Sequence, residues 1–216
     1  MGMLLDPYTL FPSGGPALPV TFVAATSNNV DSGASGAQTL IVNKPVGVNA
    51  GDFLLFLVLG SDNFNIAPSG IAMTNYLDFN SSNKIRVYGR TAIIGEPASY
   101  TFAFNFSAPK VGLACLAYQN ASTVSIVGTP AAGSVAGSIV ASVAGMRVSV
   151  FINESFSTTC NISGVSLGTL RINTPNRRYA HIGASDDLVP LGATAAVTGT
   201  WSSGPTAPFA YQLIVN

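Results

Sequence analysis

From Val20 to the end of the chain, short apolar runs follow one another, separated by Gly, Asn, Ser and Pro. In Lys84-Ile-Arg-Val-Tyr-Gly-Arg90, residues Lys84, Arg86 and Tyr88 fall on one side and Ile85 and Val87 on the other. That is the period-two alternation of a pleated strand. Residues 99–106 alternate in the same way and set Tyr100, Phe102, Phe104 and Phe106 on one face, an aromatic row that reads as core. Residues 53–59 are apolar at every position, which predicts a central strand covered on both faces. Further strands are expected at 21–25, 38–42, 111–118, 138–143, 147–151, 194–201 and 209–215. Asn28-Asn29 and Ser32-Gly33 supply turn chemistry between them. At Gly51-Asp52 the Asp is placed to cap backbone amides, and Glu96-Pro97 closes one element before the next begins. No stretch keeps a helical period with caps. The pattern predicts an all-β fold, an antiparallel β-sandwich or jelly roll over residues 20–216.

Residues 1–19 break this pattern. Pro7, Pro12, Pro16 and Pro19 with Gly14-Gly15 exclude a helix and interrupt any central strand, while Tyr8, Leu10 and Phe11 supply apolar anchors. The segment reads as an extended N-terminal arm that packs against a neighbour; the alternative is a leader without fixed structure. It has no basic region followed by an apolar stretch, so a signal peptide is not expected.

Composition sharpens the reading. The chain has nine Lys and Arg and nine Asp and Glu, 8% charged, against about a quarter in ordinary soluble domains. Its mean hydropathy is +0.43. Such a chain either inserts in a membrane or has its surface covered by other copies or other proteins. The longest uninterrupted apolar run, residues 53–59, is far short of the roughly 20 residues of a transmembrane helix. It also lacks the alternation of a barrel strand, so membrane insertion is not expected. The formal net charge of zero provides no field for nucleic acid and favours association.

Candidate chemistry is sparse. His181 is the single histidine, no nucleophile motif surrounds it, and it reads as a half-buried strand or loop residue. One His and two distant Cys, Cys115 and Cys160, offer no zinc spacing. Cys115, in an apolar string, reads as a small buried hydrophobe. Asp186-Asp187 present hard oxygen ligands, but without the spacing of a calcium loop they read as solvated loop residues. Asp62, Asp78, Glu96 and Glu154 do not make a glycosidase pair by their presence alone. Arg171, Arg177 and Arg178, followed by Tyr179, form the one basic concentration and read as an intersubunit contact, a glycan or phosphate contact, or a solvated loop. Trp201 and Tyr76 suit either a carbohydrate platform or the sealing of a sandwich end, burial being the simpler reading. No cofactor, metal or catalytic residue is assigned.

Several phrases in order carry a resemblance: Thr21-Phe-Val-Ala-Ala-Thr-Ser27, Gln38-Thr-Leu-Ile-Val-Asn-Lys-Pro-Val-Gly47 and Ala50-Gly-Asp-Phe-Leu-Leu-Phe56, then Ile66-Ala-Pro-Ser-Gly70, Arg86-Val-Tyr-Gly-Arg90 and Glu96-Pro-Ala-Ser-Tyr-Thr-Phe-Ala-Phe104. Together they resemble a β-sandwich module of bacteriophage virion proteins and some bacterial surface proteins. The likeness is sharpest in the first half. The chain has Ile71-Ala-Met73 where such modules often carry a Trp, and residues 124–174 match only as further strands. The resemblance implies a non-enzymatic structural or adhesive module and transfers no catalytic residue. The expectation is an oligomeric component of the outer surface of a phage particle, either a capsid cement or decoration protein or a short tail-fibre or baseplate accessory. Its partners would be further copies of itself, a trimer being one arrangement, and other capsid or tail proteins. The alternative is an adhesion module binding a host surface glycan, marked by a concave face carrying Trp201, Tyr76 or Arg178.

Overall fold

Among the described residues, all regular structure in the computed structural model is β-strand. Described are residues 18–31, 35–61, 66–80, 83–107, 110–154, 162–174, 180–203, 205 and 207–216. The anchors Tyr8, Leu10 and Phe11 of the expected arm lie outside them, as do Cys160, Arg177, Arg178 and Tyr179.

The described residues of the first half form eight strands: β1 (Thr21–Asp31), β2 (Ser35–Asn43), β3 (Phe53–Ser61), β4 (Ile66–Ser69), β5 (Thr74–Asn80), β6 (Asn83–Thr91), β7 (Ser99–Ser107) and β8 (Lys110–Gln119). They pair as a five-stranded sheet β1-β8-β3-β6-β5 and a three-stranded sheet β2-β7-β4. An order of 1-8-3-6 facing 2-7-4 is that of a jelly roll, here with the fifth strand moved to the edge beside β6. Residues 74–80, not among the strands expected from sequence, are this edge strand.

The second half repeats the path. Its strands are β9 (Val124–Val127), β10 (Ala131–Ala132), β11 (Val135–Ala136), β12 (Val140–Ala141), β13 (Gly145–Glu154), β14 (Ile162–Val165), β15 (Thr169–Asn173), β16 (His181–Val189), β17 (Gly192–Ala193), β18 (Val197–Trp201) and β19 (Ala207–Val215). β9 and β10 both pair with β19, and the sheet continues β19-β13-β16-β15; facing it are β11-β18-β14 and the pair β12-β17. With β9–β10, β11–β12 and β17–β18 each counted as one broken strand, the order is again 1-8-3-6-5 facing 2-7-4. The expected sandwich is therefore present twice in tandem.

The breaks have local causes. Pro130 has no amide to donate to a ladder and lies between β9 and β10. Between β17 and β18, the Thr194 hydroxyl takes the place of ladder groups: it accepts from the Ile139 amide at 3.0 Å and lies 2.6 Å from Gln212 Oε1.

The modules pack large sheet against large sheet, which gives four stacked layers and explains the unbroken hydrophobicity of β3. Phe53, Leu55, Leu57 and Leu59 face the second module in one core with Val148, Val150, Ile182 and Leu213. Leu54, Phe56 and Val58 face Leu40, Tyr100, Phe102 and Phe104 inside the first. The Phe56 ring centroid lies 4.8 Å from that of Tyr100 and 5.7 Å from that of Phe102, so the aromatic row is core as its spacing predicts. The interior of the second module is smaller, around Phe151, Ile162, Val197 and Ala210. Polar side chains are also buried on the larger sheet of this module, Ser149 on β13, Ser185 on β16 and Gln212 on β19 among them.

The turn roles expected of Asp52 and Glu96 hold, whereas Asn28-Asn29, expected as a turn, continue strand β1 in register with β8. Asp52 accepts the Asn49 amide at 2.8 Å. Glu96 accepts from the Ile93 amide at 2.8 Å, from Arg90 at 3.1 Å and from the Tyr100 hydroxyl at 3.1 Å. Cys115 is fully buried, and burial, followed by the nearby Glu96 charge, pushes its thiol well above the ordinary range.

Candidate functional site

Two of the polar residues singled out from sequence, Arg171 and Asp186, meet at the seam between the two modules, where β1 and β8 meet β15 and β16. Two β-bulges build the place. In β1 the register against β8 shifts between Phe22 and Ala24. In β15 the register against β16 shifts between Leu170 and Ile172, leaving Arg171 as the extra residue. A bulge re-aims a side chain at a sheet edge, and here the Arg171 guanidinium carbon comes to 4.3 Å from the centroid of the Phe22 ring. Arg171 Nε donates to Asp186 Oδ1 at 2.6 Å. The Tyr118 hydroxyl, from the other module, faces the same carboxylate, and the Phe22 ring meets the Tyr118 ring edge-on at 5.9 Å.

Asp187 points to the opposite face of β16, where Arg147 grips it with two nitrogens at 2.8 and 2.5 Å. Arg147 also donates to the Ala195 carbonyl at 2.7 Å. Asp186 and Asp187 are thus strand residues with separate partners, which corrects their reading as solvated loop positions: Asp186 is 2% exposed. The first module closes the same corner with Arg90 and Glu96, 3.1 Å apart.

Burial pushes the Asp186 carboxyl above the ordinary carboxylate range, outweighing the lowering effect of Arg171 and the Tyr118 hydroxyl. Burial, then the Asp186 charge, raises the Tyr118 phenol further. The cluster is internally neutralised, two arginines against two aspartates.

A reciprocal contact crosses the seam. Tyr76 is the extra residue of the β5 bulge between Asn75 and Leu77, the place that Arg171 holds in β15. Its hydroxyl lies 3.0 Å from Thr123 Oγ1, at the start of the second module. Each module's fifth strand therefore reaches the leading strand of the other. Tyr76 and Trp201 are both used by the fold: the Trp201 indole donates to Ser134 Oγ at 2.9 Å, and its half-buried ring packs on the second interior. They do not share an exposed platform.

His181 is also corrected. It is not half-buried but 1% exposed, in the first position of β16. Among the described residues no three His, Cys, Asp or Glu side chains come together as a metal would require. Sequence reasoning missed Phe22, Tyr118, Arg147 and Tyr76 as members of these clusters; bulge register, which no periodicity reveals, decides three of their contacts.

Two cavities flank the cluster. One of 380 Å³ is lined by Thr21, Phe22, Thr169, Arg171, Asp186 and Leu188. The other, of 540 Å³, has walls from Leu18, Pro19 and Val20 on one side and Ala144, Leu188 and Pro190 on the other, with Asn120 and Asn216 at its polar edge. Both cavities touch Val20 and Leu188.

In comparisons with known proteins, no family model, curated protein or solved structure matches the chain.

Proposed function

We propose that this chain is a non-enzymatic structural component of the outer surface of a bacteriophage particle, working as a homo-oligomer in contact with other capsid or tail proteins. The observation that carries the reading is the combination of scarce surface charge and aliphatic tips gathered at one end. Four of the nine basic residues, Arg86, Arg90, Arg147 and Arg171, are consumed in ion pairs with Asp78, Glu96, Asp187 and Asp186. Loops at the start of β3 expose Val46 (86%), Ile93 and Ile94 (91%). The corresponding end of the second module exposes Val143 and Leu191 in loops near the start of β13 and Leu188 at the end of β16. Both sets lie at the same end of the molecule, because Tyr118, beside Phe53, reaches Asp186, which pairs with Val148. Exposed aliphatic groups concentrated in this way mark surfaces that meet other proteins.

Fold analogy adds weight of a limited kind, since jelly rolls serve in both viral capsids and lectins. A buried His181 and an internally neutralised charge cluster agree with a non-enzymatic role. A glycan-binding role draws no support from Trp201 or Tyr76, whose polar atoms bond within the fold.

Light scattering on the purified chain tests the reading, together with antibody labelling of intact particles. Oligomers in solution and label on the particle surface are the expected results. A stable monomer that labels no particle overturns it.

A further inference from the structure

We infer that the 380 Å³ cavity beside the seam cluster binds the carboxylate of an acidic sugar, held by the outer edge of the Arg171 guanidinium. The site goes beyond the assembly reading above, which stands or falls without it.

Two arginines on this module are used differently. Arg147 spends every nitrogen: Nε and one terminal nitrogen grip Asp187, and the other meets the Ala195 carbonyl. Arg171 spends only Nε, on Asp186 at 2.6 Å. Its two terminal nitrogens donate to no acceptor among the described residues. The Arg171 side chain is 30% exposed, against 2% for Arg147, 7% for Arg86 and 15% for Arg90. It is nevertheless held in place. The Nε bond fixes one edge, and the Phe22 ring, 4.3 Å from the guanidinium carbon, covers one face. What remains is a forked donor pair at the wall of a cavity, oriented before any ligand arrives.

The fork selects a class of ligand. Paired N–H groups of this kind match two oxygens of a carboxylate or a phosphate. Asp186 and Asp187 also line the cavity, each already paired with an arginine. The local charge is therefore balanced, and directed bonds rather than a field hold the ligand. Beside two carboxylates a single negative charge is tolerated better than the roughly −1.5 to −2 of a phosphate. The walls indicate what carries the carboxylate. Thr21 and Thr169 are exposed there and add hydroxyls, while Leu188 adds apolar surface. Hydroxyl partners beside an apolar surface suit a sugar ring, which presents both O–H and C–H groups. The volume lies near the low end of the roughly 300–1,000 Å³ usual for ligand sites, which fits one ring better than a length of peptide.

The test titrates the full chain by calorimetry with glucuronate, glucose, glucose 6-phosphate and N-acetylglutamate. Glucuronate is expected to bind about tenfold or more tighter than each of the others, since it alone joins a carboxylate to a sugar ring. Arg171→Lys keeps the charge but loses the fork, and should weaken glucuronate by about tenfold or more. Thr169→Glu places a carboxylate at an exposed wall position, outside the contacts among Arg171, Asp186 and Phe22. It should abolish binding while thermal unfolding stays unchanged, and it carries the test if Arg171→Lys proves unstable. Absence of glucuronate binding overturns the site. Equal affinity for glucose 6-phosphate overturns the choice of carboxylate, and equal affinity for N-acetylglutamate overturns the choice of a sugar in favour of an acidic side chain. Full affinity in a folded Arg171→Lys or Thr169→Glu protein removes the fork from the site. Light scattering on the same samples reads assembly separately, so failure here leaves that reading intact.

Discussion

Asp186 shows how one carboxylate can be committed to structure. It sits between modules, bonded to Arg171 at 2.6 Å and facing the Tyr118 hydroxyl. Its folded-state pKa is raised above the ordinary 3.8, because burial outweighs Arg171. A raised carboxyl pKa means that the folded state holds its proton more tightly than the unfolded chain does. The resulting stability is fully present below the unfolded value and is lost as pH rises through the folded one. Asp186→Asn removes that titration. The stability of the native chain relative to Asp186→Asn should therefore increase as pH falls from 7 towards 4, as measured by urea unfolding of both proteins at each pH. A difference that shrinks on acidification would reverse the assigned sign. At this scale the sequence named Arg171, Asp186 and Asp187 but not their partners. Arg171 reaches Asp186 across a bulge, and Arg147 meets Asp187 from 40 residues away.

At the scale of the strand, close approach between layers depends on small residues. A Cβ built on Gly199 would lie 2.7 Å from Phe151 Cδ1 in the second interior, where Phe151 is fully buried and has little room to give. Gly199→Ala should cost about 1–3 kcal/mol, the usual range for an overpacked core. Gly164, in neighbouring β14, has nothing within 4 Å of such a Cβ, and Gly164→Ala should stay within about 0.5 kcal/mol. Chemical denaturation of the two variants measures the contrast, and equal effects would show that the layers are looser than this geometry. Strand legibility follows the same physics. The long strands β3, β6, β7 and β8 declare themselves by seven or more patterned residues. Residues 138–143 and 194–201 were expected as whole strands, but only Val140–Ala141 and Val197–Trp201 are strand within them. Two-residue pieces such as β10, β11 and β17 are too short to show any period, and they exist because a partner strand holds them.

At the scale of the whole molecule, β3 belongs to two cores at once, which makes the modules one cooperative unit. Leu55 lies in the core shared between modules and Phe102 in the first interior alone. Leu55→Ala should cost about 2–5 kcal/mol and Phe102→Ala about 3–5 kcal/mol. Each should move a single unfolding transition, followed by tryptophan fluorescence at Trp201 in the second module and by far-ultraviolet circular dichroism over both. A Phe102→Ala protein whose circular dichroism falls before Trp201 responds would show that the modules unfold separately. The scarcity of charge also takes its meaning at this scale. Much of the apolar excess is spent on three interiors between four layers, and the remainder surfaces as aliphatic tips at the end where the described chain begins.

The sequence by itself determined the all-β class, the strands long enough to show alternation, the aromatic row of β7 and the double-sided burial of β3. These follow from side-chain period and turn chemistry, both local properties. It also located Asp52 and Glu96 as turn residues, since their bonds span three or four positions. Only the tertiary structure decided that the jelly roll occurs twice, that the copies face each other through their larger sheets, and that Tyr118, Asp186, Arg171 and Phe22 form one cluster. The physical reason is range. Pairing between β8 and β1 joins residues such as Thr21 and Gln119, and contacts across the seam join Tyr76 to Thr123 and Phe22 to Arg171, so that local periodicity carries no record of which distant face a strand will cover.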